Sequence, residues 1–466
     1  MPSHDGYSPL GMRRHERTSL LRYDSDLEAL LAHPEDRKEL ERRLLRKLDT
    51  RMSILVLIYV LNYIDRQNIA VARLQGFEKD LRLEGSQYAS CLGIVYVGYL
   101  FMQIPSIYGQ AIHIPINLHD SVGLYVHVDR FHDVLFARLV LGCLEAPFFS
   151  GALLLIARWY RRDEIGQRTA WLACGLLIAN ATGSLIASGI LKVLESVPGI
   201  SAWRGLFISE GALTVSVALC AMYILPDFPK TSSSWLSPLE QALAVQRIRE
   251  DTASNDSLDI QRPIHGLWLA VSDWKVWWLT AILAVYAFAS SFHFYFPTLV
   301  QTIGYGPVTT LLLSVPPWLT AIVVVILVSR HSDHRSERFF HISLSILVGV
   351  VGYVVAISTM NPLVRYVSFF AMTQIHAAYT CFMAWASCSV SEPANKRTTA
   401  LAIINTGGIA ANILVSFAWP SNWGPDYTKS FGICVFAALL TVVMSWTFRR
   451  YLERLNERET EYQYQL

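Results

Sequence analysis

This chain is expected to be an all-α polytopic membrane protein, and three observations support that. Of its 466 residues, 53% are hydrophobic and only 16% charged, with a mean hydropathy of +0.33, which is too apolar for a soluble chain of this length. Apolar windows of about 20 residues, the length a helix needs to cross hydrocarbon, recur from one end to the other. Lys and Arg gather in alternate connecting segments, the distribution that orients membrane helices. A net charge of +2 offers nucleic acid no electrostatic footprint.

Residues 1–51 are polar and mixed in charge, and the first apolar run begins at Ser53. They are expected to be a cytoplasmic tail, not a cleaved leader. Spans near 52–71, 88–107, 134–157, 170–191 and 205–225 make a first helical bundle over residues 52–225. Residues 226–274 read as a cytoplasmic central loop containing PLEQALAVQRIRE. That segment predicts an amphipathic helix entered after Ser237, with Pro238 in its first turn. Spans near 276–297, 308–329, 339–358, 363–387, 398–418 and 430–448 make a second bundle over 275–448, followed by a cytoplasmic tail, 449–466. Basic clusters in the first tail, in RWYRRDEIGQR, in the central loop, in SRHSDHRSER, at Lys396–Arg397 and after Arg449 place both termini in the cytoplasm. That requires an even number of crossings, yet only eleven windows are clear.

The missing crossing falls in IYGQAIHIPINLHDSVGLYVHVDRFHDV, residues 107–134, with four histidines, three aspartates and an arginine. Charge parity demands a helix there and composition opposes one. Either the segment is a misread exon or it is genuinely divergent. In both cases the third helix of the first bundle is degenerate as it stands, and the alternative to a working transporter is a non-transporting receptor or inactive pseudo-transporter. The spacing of His127 and His132, with His331 and His334, hints at membrane oxygenase boxes, but such an enzyme needs several more histidines, so neither an enzyme nor a metal site is expected. All seven cysteines lie in apolar spans, where packing is their expected role.

The halves echo one another. GQRTAWLACGLLIANATG (166–183) resembles NKRTTALAIINTGGIAAN (395–412), each a basic residue and Thr opening a span rich in Ala and Gly. Parallel repeats of this kind place a substrate site near the midplane between them.

Charges inside the spans carry the chemistry. Asp65 and Arg66 lie at mid-depth of the first span, Arg138 and Glu145 within the third clear one. A charge at the centre of a spanning helix costs roughly 2.5–3.5 kcal/mol on insertion scales, so such groups face a bundle interior or a watery cavity. Neighbours on a helix point about 100° apart, so Asp65 and Arg66 face different ways while Asn62 and Arg66 share a face. Arg66 offers a planar donor fork suited to a carboxylate. Arg138 and Glu145, seven residues apart, stand on one stripe about 10 Å apart in rise. Asn405 is a candidate substrate contact, or else polar glue between helices. His293 and His376 are candidates of lower rank, lone helical histidines being more often packing residues. Glu210 is expected to pair with a cation. Trp385, Trp419 and Trp423 are expected to pack or to anchor at the interface.

The phrases LNYIDRQNIAVARL, VGYLFMQIPS, ARLVLGCLEAPFFSG, RWYRRDEIGQR, AWRGLFISEG, LPDFP, FPTLVQTIGY, SVPPW, SDHRSER, MAWASCSV, NKRTTALAIINTGG and WPSNWGPDYTKSFGI stand in register along the chain. Together they resemble the fungal allantoate, nicotinate and vitamin (biotin, pantothenate) permeases of the major facilitator superfamily, within its anion:cation symporter group. The resemblance covers roughly residues 40–455 except 107–134. It implies a major facilitator fold of two six-helix bundles, alternating access, and proton-coupled symport of a small organic anion such as nicotinate, pantothenate, biotin, allantoate or tartrate. The plasma membrane is the implied address, no cofactor is implied, and a monomer is the default expectation. The resemblance further implies proton coupling by Asp65 and Glu145, and substrate binding at Arg66 and Tyr63. Arg138 would link proton to substrate. Asp333 and Arg338, with Arg168 and Arg397, are expected to form a cytoplasmic ion-pair gate.

Overall fold

The computed structural model describes residues 34–108, 129–194, 201–226, 235–253, 263–390 and 394–458. Their regular structure is helical throughout, as hydrocarbon requires of a chain that must satisfy its own backbone hydrogen bonds. In chain order the α-helices of six residues or more are α1 (Pro34–Leu74), α2 (Gln87–Tyr108), α3 (Phe131–Trp159), α4 (Arg162–Ala173), α5 (Gly175–Leu194), α6 (Ala202–Ile224), α7 (Pro238–Ala253), α8 (Pro263–Ser272), α9 (Trp274–Ala289), α10 (Phe296–Gln301), α11 (Pro307–Arg335), α12 (Phe339–Ser358), α13 (Pro362–Thr373), α14 (His376–Ser389), α15 (Ala394–Val415) and α16 (Thr428–Arg458). Eight stretches among the described residues are long and apolar enough to cross a membrane. The expected span 52–71 is the latter part of the 41-residue α1, which starts well inside the stretch read as a tail. The expected span 363–387 is broken between α13 and α14. The awkward crossing lies, over residues 109–128, outside the described residues.

Contacts divide the chain into two compact units, one of residues 1–57, 152–172 and 220–257, the other of residues 58–151, 173–219 and 258–466. The first is tied by ion pairs. Glu41 on α1 takes Arg37 and Arg161, both at 3.3 Å, and Arg247 of α7 at 3.5 Å. Glu250 on α7 takes Arg37 at 2.5 Å and Arg161 at 3.3 Å, and Arg247 reaches Glu164 at 2.5 Å. The expected helix after Ser237 is α7, and Ser-Pro-Leu-Glu closes a capping box at its start. Glu240 accepts from the Ser237 amide at 2.8 Å while the Ser237 hydroxyl accepts from the Glu240 amide at 3.2 Å, satisfying donors the helix start leaves open.

In the second unit α9 packs on α15 and α16, α5 on α11, and α2 on α15. Small residues set the closest approaches. A Cβ on Gly142 of α3 would overlap the Val95 carbonyl of α2, and one on Gly98 of α2 the Leu139 carbonyl of α3. Only glycine lets these two backbones lie against each other. The repeated Ala/Gly segments do matching work, with Gly183 of α5 receiving Ile64 of α1 and Gly408 of α15 receiving Leu283 of α9. Trp385 and Trp419 are buried packing residues, whereas Trp423 is only half-buried.

Candidate functional site

Within the second unit a cavity of about 1080 Å³ is walled by both halves of the sequence. Tyr59, Tyr63 and Arg66 reach it from α1, spaced about one helical turn apart and so on one face. Tyr96 and Tyr99 come from α2, Phe149 from α3 and Leu176 from α5. Opposite them stand Leu283, Tyr286, Ala287, Ser290, His293, His376 and Tyr379, with Asn405, Gly408, Ile409 and Asn412 of α15. Seven of the eighteen lining residues are tyrosine or phenylalanine, two are histidine, and among the described residues there is one cation.

Arg66 is that cation. Its Nε donates to Glu145 Oε2 of α3 across a separation of 79 residues. Its guanidinium carbon lies 5.0 Å from the Tyr63 ring centre and 4.8 Å from that of Tyr99, the range in which an aromatic face attracts a cation. The ion pair engages Nε, and the two terminal nitrogens take no part in it. Glu145 is only 2% exposed, with its other oxygen buried and unpartnered. It is absent from the wall of the large cavity, which it touches only through Arg66. Pro147, inside α3 two residues on, lacks the amide that would bond to the Cys143 carbonyl and so loosens the helix beside this pair.

Arg138 behaves differently from the expectation of a group facing the same cavity as Glu145. It is 1% exposed and donates to three backbone carbonyls, of Arg66 at 2.8 Å, Asp65 at 3.2 Å and Cys91 at 3.3 Å. The close α2–α3 approach at Gly98 and Gly142 brings Cys91 within reach. Arg138 thus pins α1 and α2 to α3 directly behind Arg66, and it borders a smaller adjoining pocket that shares Tyr63, Arg66, Tyr96 and His293 with the large cavity. Asp65 turns away from Arg66, as helix geometry requires, and accepts from the Thr214 hydroxyl of α6 at 3.1 Å.

On the opposite wall the Tyr379 hydroxyl donates to Asn405 Oδ1 at 3.4 Å, placing Asn405 in the cavity as a candidate contact. His293 Nδ1 lies 2.7 Å from the Ser290 carbonyl and His376 Nδ1 3.3 Å from that of Thr373. A carbonyl can only accept, so each Nδ1 carries hydrogen and each Nε2 of the neutral ring remains an acceptor. Both histidines, ranked low from sequence, line the cavity. Of the wall's tyrosines the resemblance marks Tyr63 alone, and nothing singles out Tyr59, Tyr96, Tyr99, Tyr286 or Tyr379. Their only sequence signal is helical spacing, Tyr59–Tyr63 on α1 and Tyr96–Tyr99 on α2, which is also the signal of ordinary packing.

Of the four residues expected to make a gate, Asp333 and Arg338 meet each other, while Arg168 and Arg397 are held by other partners. Arg338 pairs with Asp333 at 2.5 Å and donates to Ser332 at 3.1 Å. Arg168 pairs with Asp49 at 3.2 Å and stacks over Tyr160. Arg397 donates to the Val390 carbonyl at 3.3 Å. Glu210, expected to meet a cation, has both oxygens buried without a hydrogen-bond partner. Arg365, not singled out in the sequence, is fully buried and holds the carbonyls of Pro425 and Asp426, each at 3.2 Å.

The chain is 27% identical over 426 residues to the major facilitator-type transporter hxnP of Emericella nidulans, covering 86% of this chain and 84% of that one. It is 25% identical to a protein of Agrobacterium vitis provisionally named a tartrate transporter, covering 87% and 92%. Among solved structures, the fold is similar to a bacterial homologue of the human lysosomal transporter Spinster in its inward-facing form, with a TM-score of 0.65 at 18% identity over 87% of this chain and 98% of that one. The sequence model of the Major Facilitator Superfamily matches residues 121–416, so this integral, multi-pass membrane chain belongs to the Major Facilitator Superfamily and is a secondary transporter, not an enzyme.

Proposed function

We propose that this transporter imports a small organic carboxylate together with protons, with Arg66 as the anion's docking group. The observation that carries the reading is the setting of Arg66. It is a cation in an aromatic cavity walled by both halves, held by Glu145 through Nε alone, with its terminal nitrogens outside that pair. A guanidinium so placed fits a carboxylate in a two-pronged geometry, while Tyr63 and Asn405 supply polar contacts nearby. The provisional name of the Agrobacterium relative points to the same substrate class.

Coupling follows from charge balance. Glu145 neutralises Arg66 while the cavity is empty, and an arriving carboxylate competes for the same cation. Protonating Glu145 removes its charge and releases Arg66 to the substrate, so one proton and one anion enter together at little net charge. Asp65, the residue before Arg66 on α1, is the second proton carrier, and Arg138 holds the backbone carbonyls of both. Arg168, Asp333, Arg338 and Arg397 remain the proposed cytoplasmic gate, formed in another state of the cycle. The plasma membrane, both termini cytoplasmic, is the proposed setting.

The test is uptake of a radiolabelled carboxylate panel, including nicotinate, pantothenate, biotin, allantoate and tartrate, by cells expressing the chain. Accumulation should rise as external pH falls and be lost in Asp65→Asn and Glu145→Gln. Uptake indifferent to pH and to both substitutions would reject the coupling scheme.

A further inference from the structure

The transport scheme above leaves one carboxyl in the membrane without a task. Glu210 of α6 is 2% exposed, and neither of its oxygens has a hydrogen-bond partner. A second carboxyl, Asp65 of α1, lies near enough to act on it electrostatically. Thr214, four residues further along α6 and so on the same face, donates to Asp65 and fixes that face against α1. Asn68, about one turn beyond Asp65, approaches Glu210 without making an aligned hydrogen bond. From α3, Glu145 and Arg138 act on Asp65, but Arg66 is engaged with Glu145 and Arg138 with backbone carbonyls.

An ionised carboxylate with no well-aligned donor and no paired cation among the described residues, within electrostatic reach of another carboxyl in a dry interface, is poorly placed to hold negative charge. Two such groups cannot both ionise cheaply and titrate as a pair. A small pocket with polar groups at Gln67, Asn68, Asn180, Ser184 and His293 borders α1 at Asn68, the residue that approaches Glu210.

We propose that Glu210 is a third proton-carrying carboxyl of the transport cycle, exchanging its proton with Asp65 across the α1–α6 interface. When the Glu210 O–H gives its proton to the Asp65 carboxylate, the negative charge moves from α1 to α6 and the total charge of the pair is unchanged. The reverse step restores it. The scheme rests on proton-coupled transport, and its test separates the two.

The full chain, reconstituted in lipid vesicles, is compared as wild type, Glu210→Gln and Asp65→Asn by infrared spectroscopy and by transport. At neutral pH the wild type should show the carbonyl stretch of a protonated carboxylic acid that Glu210→Gln removes and Asp65→Asn retains. Glu210→Gln should keep substrate exchange at equal pH on both sides but lose proton-driven accumulation about ten-fold, the change that corresponds to one unit in a proton equilibrium. A band untouched by Glu210→Gln overturns the proposal, and so does a band that is lost while accumulation is unchanged. If the wild type itself shows no pH-driven accumulation, the coupled-transport reading fails, and the cycle role with it, while the band still decides whether Glu210 holds a proton. Should Glu210→Gln fail to fold, the wild type is treated with dicyclohexylcarbodiimide, an apolar reagent selective for protonated carboxyls, and mapped by mass spectrometry. An adduct on Glu210 supports the proposal and its absence overturns it.

Discussion

Two groups of arginines and glutamates use the same chemistry to different ends. In one, Arg37, Arg161 and Arg247 share Glu41, Glu164 and Glu250 in a lattice where most members have several partners and where the side chains, apart from Arg247 at 1%, are 14–36% exposed. In the other, among the described residues, Arg66 pairs with a single acid, Glu145, 1% exposed on its side chain, and Arg138 pairs with none. The lattice has redundancy and solvent, so no one pair decides anything. The buried pair has neither, so each change of charge must be answered by another, and that is the condition for coupling a proton to an anion.

The comparison is tested most severely by stranding one charge. Glu145→Leu should destabilise the purified chain by about 3–5 kcal/mol, because Arg66 is left buried and unpaired, and adding Arg66→Met should recover much of that loss. Thermal unfolding in detergent measures both, and an unaffected single variant would mean that water reaches the site freely. Next in size, Arg66→Lys keeps the charge but loses the fork. Losing one charge-assisted hydrogen bond of about 1.5–3 kcal/mol should weaken substrate affinity roughly 10–100-fold, read from transport KM, with a smaller effect on folding.

Smaller effects belong to the lattice unit. Burial pushes Glu240 up, but the Lys47 ammonium at 2.6 Å and the Ser237 amide more than offset it and hold the carboxyl below its ordinary 4.5. A depressed acid stabilises the fold fully above its unfolded value and loses that contribution as pH falls through its folded one. Stability should therefore drop on acidification below 4.5 in the wild type and less steeply in Glu240→Gln, by about 1 kcal/mol. Least of all, Glu250→Gln should cost about 0–1 kcal/mol and less still in high salt, since Arg37 and Arg161 retain Glu41. A salt-insensitive loss of several kcal/mol there would erase the distinction between the two groups.

The membrane helices were legible wherever local apolarity ran long enough, as at Phe339–Ser358, and so was the capped helix after Ser237. The extent of α1 was not, because its first turns are held by ion pairs with residues as distant as Glu240 and Glu250. At the site, the sequence marked Arg66, Glu145 and Asp65 as costly in a bilayer but not their partners. It offered Arg66–Asp65 as neighbours, and the structure gives Arg66 to Glu145 and Asp65 to Thr214. Glu210 looked like half of an ion pair and has no such partner.

By itself, then, the chain's order of residues determined that it is helical and crosses the membrane repeatedly, and that charges sit at depth, because helix formation and transfer into hydrocarbon depend on composition over one or two dozen neighbours. Only the tertiary structure decided which charges meet, which carbonyls Arg138 holds, and that tyrosines wall the cavity. Those outcomes depend on the rotation and depth of one helix against another, set by close contacts such as Gly98 with Leu139 and Gly142 with Val95, which no single segment encodes.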